Sequence, residues 1–115
     1  MNIKNPRTLV RLGLALIFLA NSLTAFFAPQ EFRDLVESSF LSHILSVIPS
    51  ATLVVLIGIN DALVALLLIL NVKQLKSVAI WACIWLVGVM AVVGEPLDVL
   101  EHLGIFLVAA SLIFI

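Results

Sequence analysis

The chain has 115 residues, of which 63% are hydrophobic and 11% charged, with a mean hydropathy of +1.29, against roughly 45–50% apolar and about 25% charged in soluble domains. Apolar runs of about 20 residues, each able to cross a bilayer at about 1.5 Å per residue, use up most of that length, so any site must lie among helices or in short loops. The net charge is −1, and the lack of a basic nucleic-acid patch, a phosphate-binding glycine loop, a nucleophile elbow or a haem-binding His pair sets aside nucleic-acid binding and soluble-enzyme chemistry.

The first span is expected over residues 9–28, LVRLGLALIFLANSLTAFFA, preceded by Lys4 and Arg7, with Arg11 just inside and able to snorkel back to the surface. A basic start before an apolar run also resembles a signal peptide; the sequence begins at Met1, and the segment is read as a retained helix. Pro29 ends it. Across residues 30–48, Phe32, Leu35, Val36, Phe40, Ile44, Val47 and Ile48 recur at helical spacing among charged residues and serines, which predicts an amphipathic helical segment in the membrane surface or a lid over the bundle. Further spans are expected over 50–70, 77–94 and 97–115, with Asn71 and Gly94 at helix ends and Pro96 in a first turn. Trp81 and Trp85 suit an aromatic belt, and Trp85 equally suits packing. The predicted fold is all-α: a membrane-embedded four-helix bundle, forming one domain in a lipid bilayer.

Five of the six basic residues (Lys4, Arg7, Arg11, Lys73 and Lys76) lie at the amino end and in the second connection, while six of the seven acidic residues (Glu31, Asp34, Glu37, Glu95, Asp98 and Glu101) lie at the other two connections or their borders. Lys and Arg in short loops set orientation, so both termini are expected to face the cytoplasm in a cell inner membrane.

The remaining acid, Asp61, lies near the middle of the second span in IGINDALVALLLIL. A charge there costs about 3 kcal/mol on insertion scales and is kept only with a partner or a use. Asn21 lies about seven residues from the outer end of its span, Asn60 and Asp61 about ten, and Glu101 and His102 about five, so at about 1.5 Å per residue they share one band in the outer half. Unpaired polar groups do not face lipid, so these residues are expected to turn inward and form a pocket. Gly88, Met90 and Ala91 would supply its apolar wall. Asp61 then acts either as interhelical glue, bonded to Asn21 or Asn60, or as a proton acceptor or substrate ligand. Asp98 and His102 are four apart and share a helix face. A carboxylate orienting an imidazole suits proton relay, whereas an i,i+4 pair stabilising a helix start is the plainer reading.

No metal site is expected, because only Asp61, Glu101 and His102, with His43 from the lid, could converge. The single cysteine, Cys83, excludes an intramolecular disulfide and fits a small packing residue.

The chain resembles the DoxX-like family of small four-helix membrane proteins in RLGLALIFLANSLTAFFAPQEF, in the IGINDALVALLLIL helix and in LEHLGIFLVAASLIF. The resemblance covers nearly the whole chain and implies a membrane subunit of, or accessory to, an oxidoreductase system. Many relatives carry an acidic residue, usually Glu, in the second helix, where this chain has Asn60 and Asp61. On this reading the outer-half pocket takes a quinone or another small molecule, with no covalently bound cofactor. Asp61 and His102 exchange protons, Asn21, Asn60 or Glu101 hold the ligand, and a redox partner subunit supplies electrons. The alternatives are a non-catalytic assembly subunit and a small proton-coupled transporter. Gly58, Ala62 and Ala65 give the second span a close-packing face for a bundle core or a homo-oligomer.

Overall fold

A computed structural model of the chain describes residues 4–115. Its helices are α1 (Pro6–Phe27), α2 (Gln30–Ser38), α3 (Ser50–Leu70), α4 (Leu75–Val93) and α5 (Pro96–Phe114), with one 3-10 turn at Phe40–Ile44 and no strand among the described residues. Four of them, α1, α3, α4 and α5, are long and apolar enough to cross a membrane.

Local chemistry sets the helix ends. Asn5 caps α1, its side chain accepting from the Arg7 backbone N–H at 2.9 Å, and Pro6 occupies the first turn, where no N–H is needed. α3 and α4 end on the left-handed residues Asn71 (φ 52°) and Gly94 (φ 66°), as their types predict. The expected interfacial helix is shorter than its hydrophobic period suggested. At Ser39 the hydroxyl donates to the Val36 carbonyl at 2.9 Å and accepts from the Leu41 N–H at 3.1 Å. That local bonding competes with helix continuation, so α2 stops at Ser38 and the 3-10 turn follows. α2 is fastened to the start of α3 through Ser50, which donates to Glu37 at 3.0 Å and accepts from Arg33 at 3.4 Å.

α1 packs along α3, and α4 along α5. The buried face of α1 is Arg11, Leu14, Ala15, Phe18, Ser22 and Ala25, and that of α3 runs from Ser50 through Val54, Gly58, Asp61 and Ala65 to Leu68. Spacings of three and four make each a single stripe. The two pairs share a core of Leu14, Phe18, Leu68, Ala79, Ala82, Leu86, Ala109 and Leu112, among others. No described residue of α4 beyond Leu86, and none of α5 before Ala109, is buried. The α4–α5 pair is therefore buried only toward the end holding the α3–α4 connection, whereas the α1–α3 seam stays buried to Ala25 and Ser50 at the other.

Arg11 corrects the snorkelling expectation. It is 3% exposed, and its Nη1 donates to the carbonyls of Leu68 and, at 3.0 Å, Ile69. These belong to the last turn of α3, whose carbonyls lack partners within the helix, so a cation at that negative end supplies them. At the opposite end of the seam, a Cβ on Gly58 would lie 3.1 Å from Ala25 Cβ and 2.9 Å from Phe26 Cζ.

Gly58→Leu should therefore push α1 and α3 apart and lower stability by about 1–3 kcal/mol, the range for overpacking. Gly13→Leu, at a site with nothing within 4 Å of a new Cβ, should leave it unchanged or raised. Thermal unfolding in detergent compares them, and equal losses would contradict close α1–α3 packing.

Candidate functional site

Asp61 is 3% exposed and lies on the stripe of α3 that faces α1. The antiparallel pairing that sets Arg11 against Leu68 and Ala25 against Gly58 brings the Ser22 level of α1 to the Asp61 level of α3. Ser22, not Asn21, is the buried polar residue there; Asn21 is half-buried, one position and about 100° further round the helix. One hydrogen bond to Asp61 is local: Asn60 Nδ2 donates to its Oδ1 at 3.3 Å. Trp85 on α4 lies beside the same carboxyl group.

Asn60 joins α3 to α4, because Trp81 Nε1 donates to its Oδ1 at 2.8 Å. An indole N–H can only donate, so the carboxamide oxygen must face Trp81 and its NH2 must face Asp61. The order Trp81, Asn60, Asp61 thus runs from the outer surface of α4 into the α1–α3 seam. The rings of Trp81 and Trp85 are 6.3 Å apart and tilted by 35°, a spacing within the range of favourable aromatic pairs. Trp81 and Trp85 carry polar contacts that an aromatic-belt reading passes over. Their spacing of four, which puts both on one face of α4, was the signal available.

The other expected members stand apart from Asp61. The His102 ring Nδ1 pairs with the Asp98 backbone carbonyl at 2.7 Å, within its own helix, and not with the Asp98 carboxylate. Glu101 is exposed, on the half of α5 that has no fully buried residue. Among the described residues no hydrogen bond links Asn21, Glu101 or His102 to Asp61, and no three His, Cys, Asp or Glu side chains come together as a metal site. Gly88 and Ala91 are exposed and Met90 half-buried. His43 is exposed on the 3-10 turn, and Cys83 is a buried free thiol in the core.

A groove of about 300 Å³ opens between α3 and α4, lined by Asn60, Leu63, Val64, Leu67, Ser77, Val78 and Trp81. It extends from Asn60 toward the α3–α4 connection, the opposite direction from the expected outer-half pocket. Its walls are apolar and its polar groups are few, the usual make-up of a small-molecule site. One N–H of Asn60 Nδ2 serves Asp61, and the other remains to donate to a carbonyl placed in the groove.

The chain matches no protein-family model, no curated protein and no solved structure. The DoxX-like resemblance rests on the sequence segments alone.

Trp81→Phe removes one interhelical hydrogen bond and should lower stability by about 0.6 kcal/mol, the average for such bonds in a membrane. Asn60→Leu should lower it more, because it also takes the Asn60 donor away from a buried carboxyl group. Unfolding in mixed micelles orders the two variants; an Asn60→Leu loss no larger than that of Trp81→Phe would contradict the chain of bonds.

Proposed function

We propose that this protein is a membrane subunit of, or accessory to, an oxidoreductase system, and that it holds a lipophilic carbonyl compound of the quinone class in the α3–α4 groove. The observation that carries this reading is the Trp81–Asn60–Asp61 chain at one end of an apolar groove. Asn60 donates to the ligand carbonyl, Trp81 and the leucines contact the ring, and Asp61 is the residue that positions Asn60. The ligand enters sideways from the bilayer, because the groove lies on the outer surface of two membrane-spanning helices. Electrons come from a partner subunit. The protein sits in a cell inner membrane with both termini cytoplasmic, as the placement of Lys and Arg argues. The DoxX-like reading belongs with this proposal and adds no residue to it.

Direct proton exchange by Asp61 requires it to reach the ligand, and Asn60 stands between them. The two roles differ in their response to mutation. Asn at position 61 keeps an acceptor for Asn60, whereas Leu does not. A short-chain quinone added to nanodiscs should quench the fluorescence of Trp81 and Trp85 saturably. Asp61→Asn should preserve that binding, while Asp61→Leu and Asn60→Leu should weaken it roughly tenfold, the value of about one good hydrogen bond. Quenching that rises linearly with quinone in every variant would sink the groove as a site. Binding retained by Asp61→Asn alongside a lost redox-coupled proton uptake would make Asp61 a proton carrier instead.

A further inference from the structure

A second cleft, of about 360 Å³, lies at the end of the bundle holding the α3–α4 connection and is lined by Asn5, Arg7, Thr8, Arg11, Asn71, Val72 and Lys73. It joins the start of α1 to the α3–α4 connection, so it sits where the spans end, at the level of lipid headgroups. Three of its side chains are cationic. Every acidic side chain except Asp61 lies in α2, in the α4–α5 connection or in the first turns of α5, toward the other end of the spans, and among the described residues none pairs with Arg7, Arg11 or Lys73. Positive charge is thus gathered in a concave site that no acidic side chain lines.

The three cations are held differently. Arg11 is fixed by its bonds from Nη1 to the carbonyls of Leu68 and Ile69. A guanidinium has five N–H donors, so the Nε and Nη2 donors remain for the cleft that Arg11 lines. No buried polar side-chain atom lacks a partner among the described residues, which agrees with those donors being open to the cleft. Arg7 and Lys73 are exposed and reach in from two different elements. Thr8 and Asn71 add neutral hydrogen-bonding groups, and the first turn of α1 points its positive dipole end the same way.

We infer that this cleft binds the phosphate group of an anionic phospholipid, Arg11 acting as the preset donor and Arg7 and Lys73 closing over the charge. Basic pockets between membrane helices at headgroup level suit this chemistry, and each Lys or Arg near an anionic surface strengthens attraction. The same groups could hold a phosphate from solution. Location favours lipid, since the bilayer delivers headgroups to that depth at high local concentration.

Native mass spectrometry of the whole protein released from micelles tests the assignment. With phosphatidylglycerol added, the wild type should retain one lipid, with phosphatidylcholine none, and inorganic phosphate with phosphatidylcholine should give no adduct. Arg7→Gln and Lys73→Gln, both at exposed positions that leave the helices intact, should each weaken phosphatidylglycerol retention roughly fivefold, the effect of losing one cation at such a site. Lys76→Gln removes the same charge from a nearby residue outside the cleft and should leave retention unchanged. Equal retention of phosphatidylcholine, or an equal loss with Lys76→Gln, would overturn the site. A phosphate adduct without lipid would overturn the lipid as its source.

Discussion

The close antiparallel packing of α1 on α3 is the constraint on which the rest depends. In hydrocarbon no hydrophobic force drives helices together, so association relies on shape and on polar groups that have nowhere else to go. Here Gly58 permits approach to Ala25 and Phe26 at one end of the seam, and Arg11 binds the last carbonyls of α3 at the other. With both ends fixed, the rotation of α3 is fixed too. That rotation buries Asp61 between the helices and leaves its neighbour Asn60, about 100° round the helix, facing α4. One contact geometry thus separates a sealed carboxyl group from an accessible carboxamide.

The second layer follows from the first. α4 meets α3 through Trp81 and Asn60, a polar link beside the core residues Val78 and Ala82 of α4. A hydrogen bond between an indole and a carboxamide tolerates no exchange of donor and acceptor, so it orients Asn60 as well as joining the helices. The groove beside it is apolar because its walls come from the lipid-facing flanks of α3 and α4, where leucine and valine predominate. A small bundle can in this way present a directed N–H donor to the bilayer without opening its interior. Arg11 works in a similar manner at the bundle end, where one side chain both terminates α3 and lines the basic cleft.

Much of the fold was legible in the residues. Apolar run length marked the four spans, and Asn71, Gly94 and Pro96 marked their ends, because these signals are local. The stripe Arg11, Leu14, Ala15, Phe18, Ser22, Ala25 was present in the sequence too, and it assigns Ser22 to the seam. Counting depth from the helix ends selected Asn21 instead, since depth does not carry the rotational phase of a helix. The pairing of Asn60 with Trp81 was not legible, because it depends on how α3 and α4 are turned toward each other in a bundle whose every face is apolar. The asymmetry of α5, buried at Ala109 and Leu112 with Glu101 exposed, was partly legible, because Asp98, Glu101 and His102 all fall in its first half. The apolar second half carries no polar face, so composition there does not tell a side packed on protein from one packed on lipid.

On the proposed function, the Asn60–Asp61 pair responds to a carbonyl ligand in the α3–α4 groove. Infrared difference spectroscopy of the protein in nanodiscs, with and without a quinone, reads the carboxyl, carboxamide and quinone carbonyl bands in one experiment. Binding should give a downshifted quinone carbonyl band together with perturbed Asn60 and Asp61 bands, the Asp61 component disappearing in Asp61→Asn while the quinone shift persists. A quinone carbonyl band identical to that in protein-free lipid would contradict it.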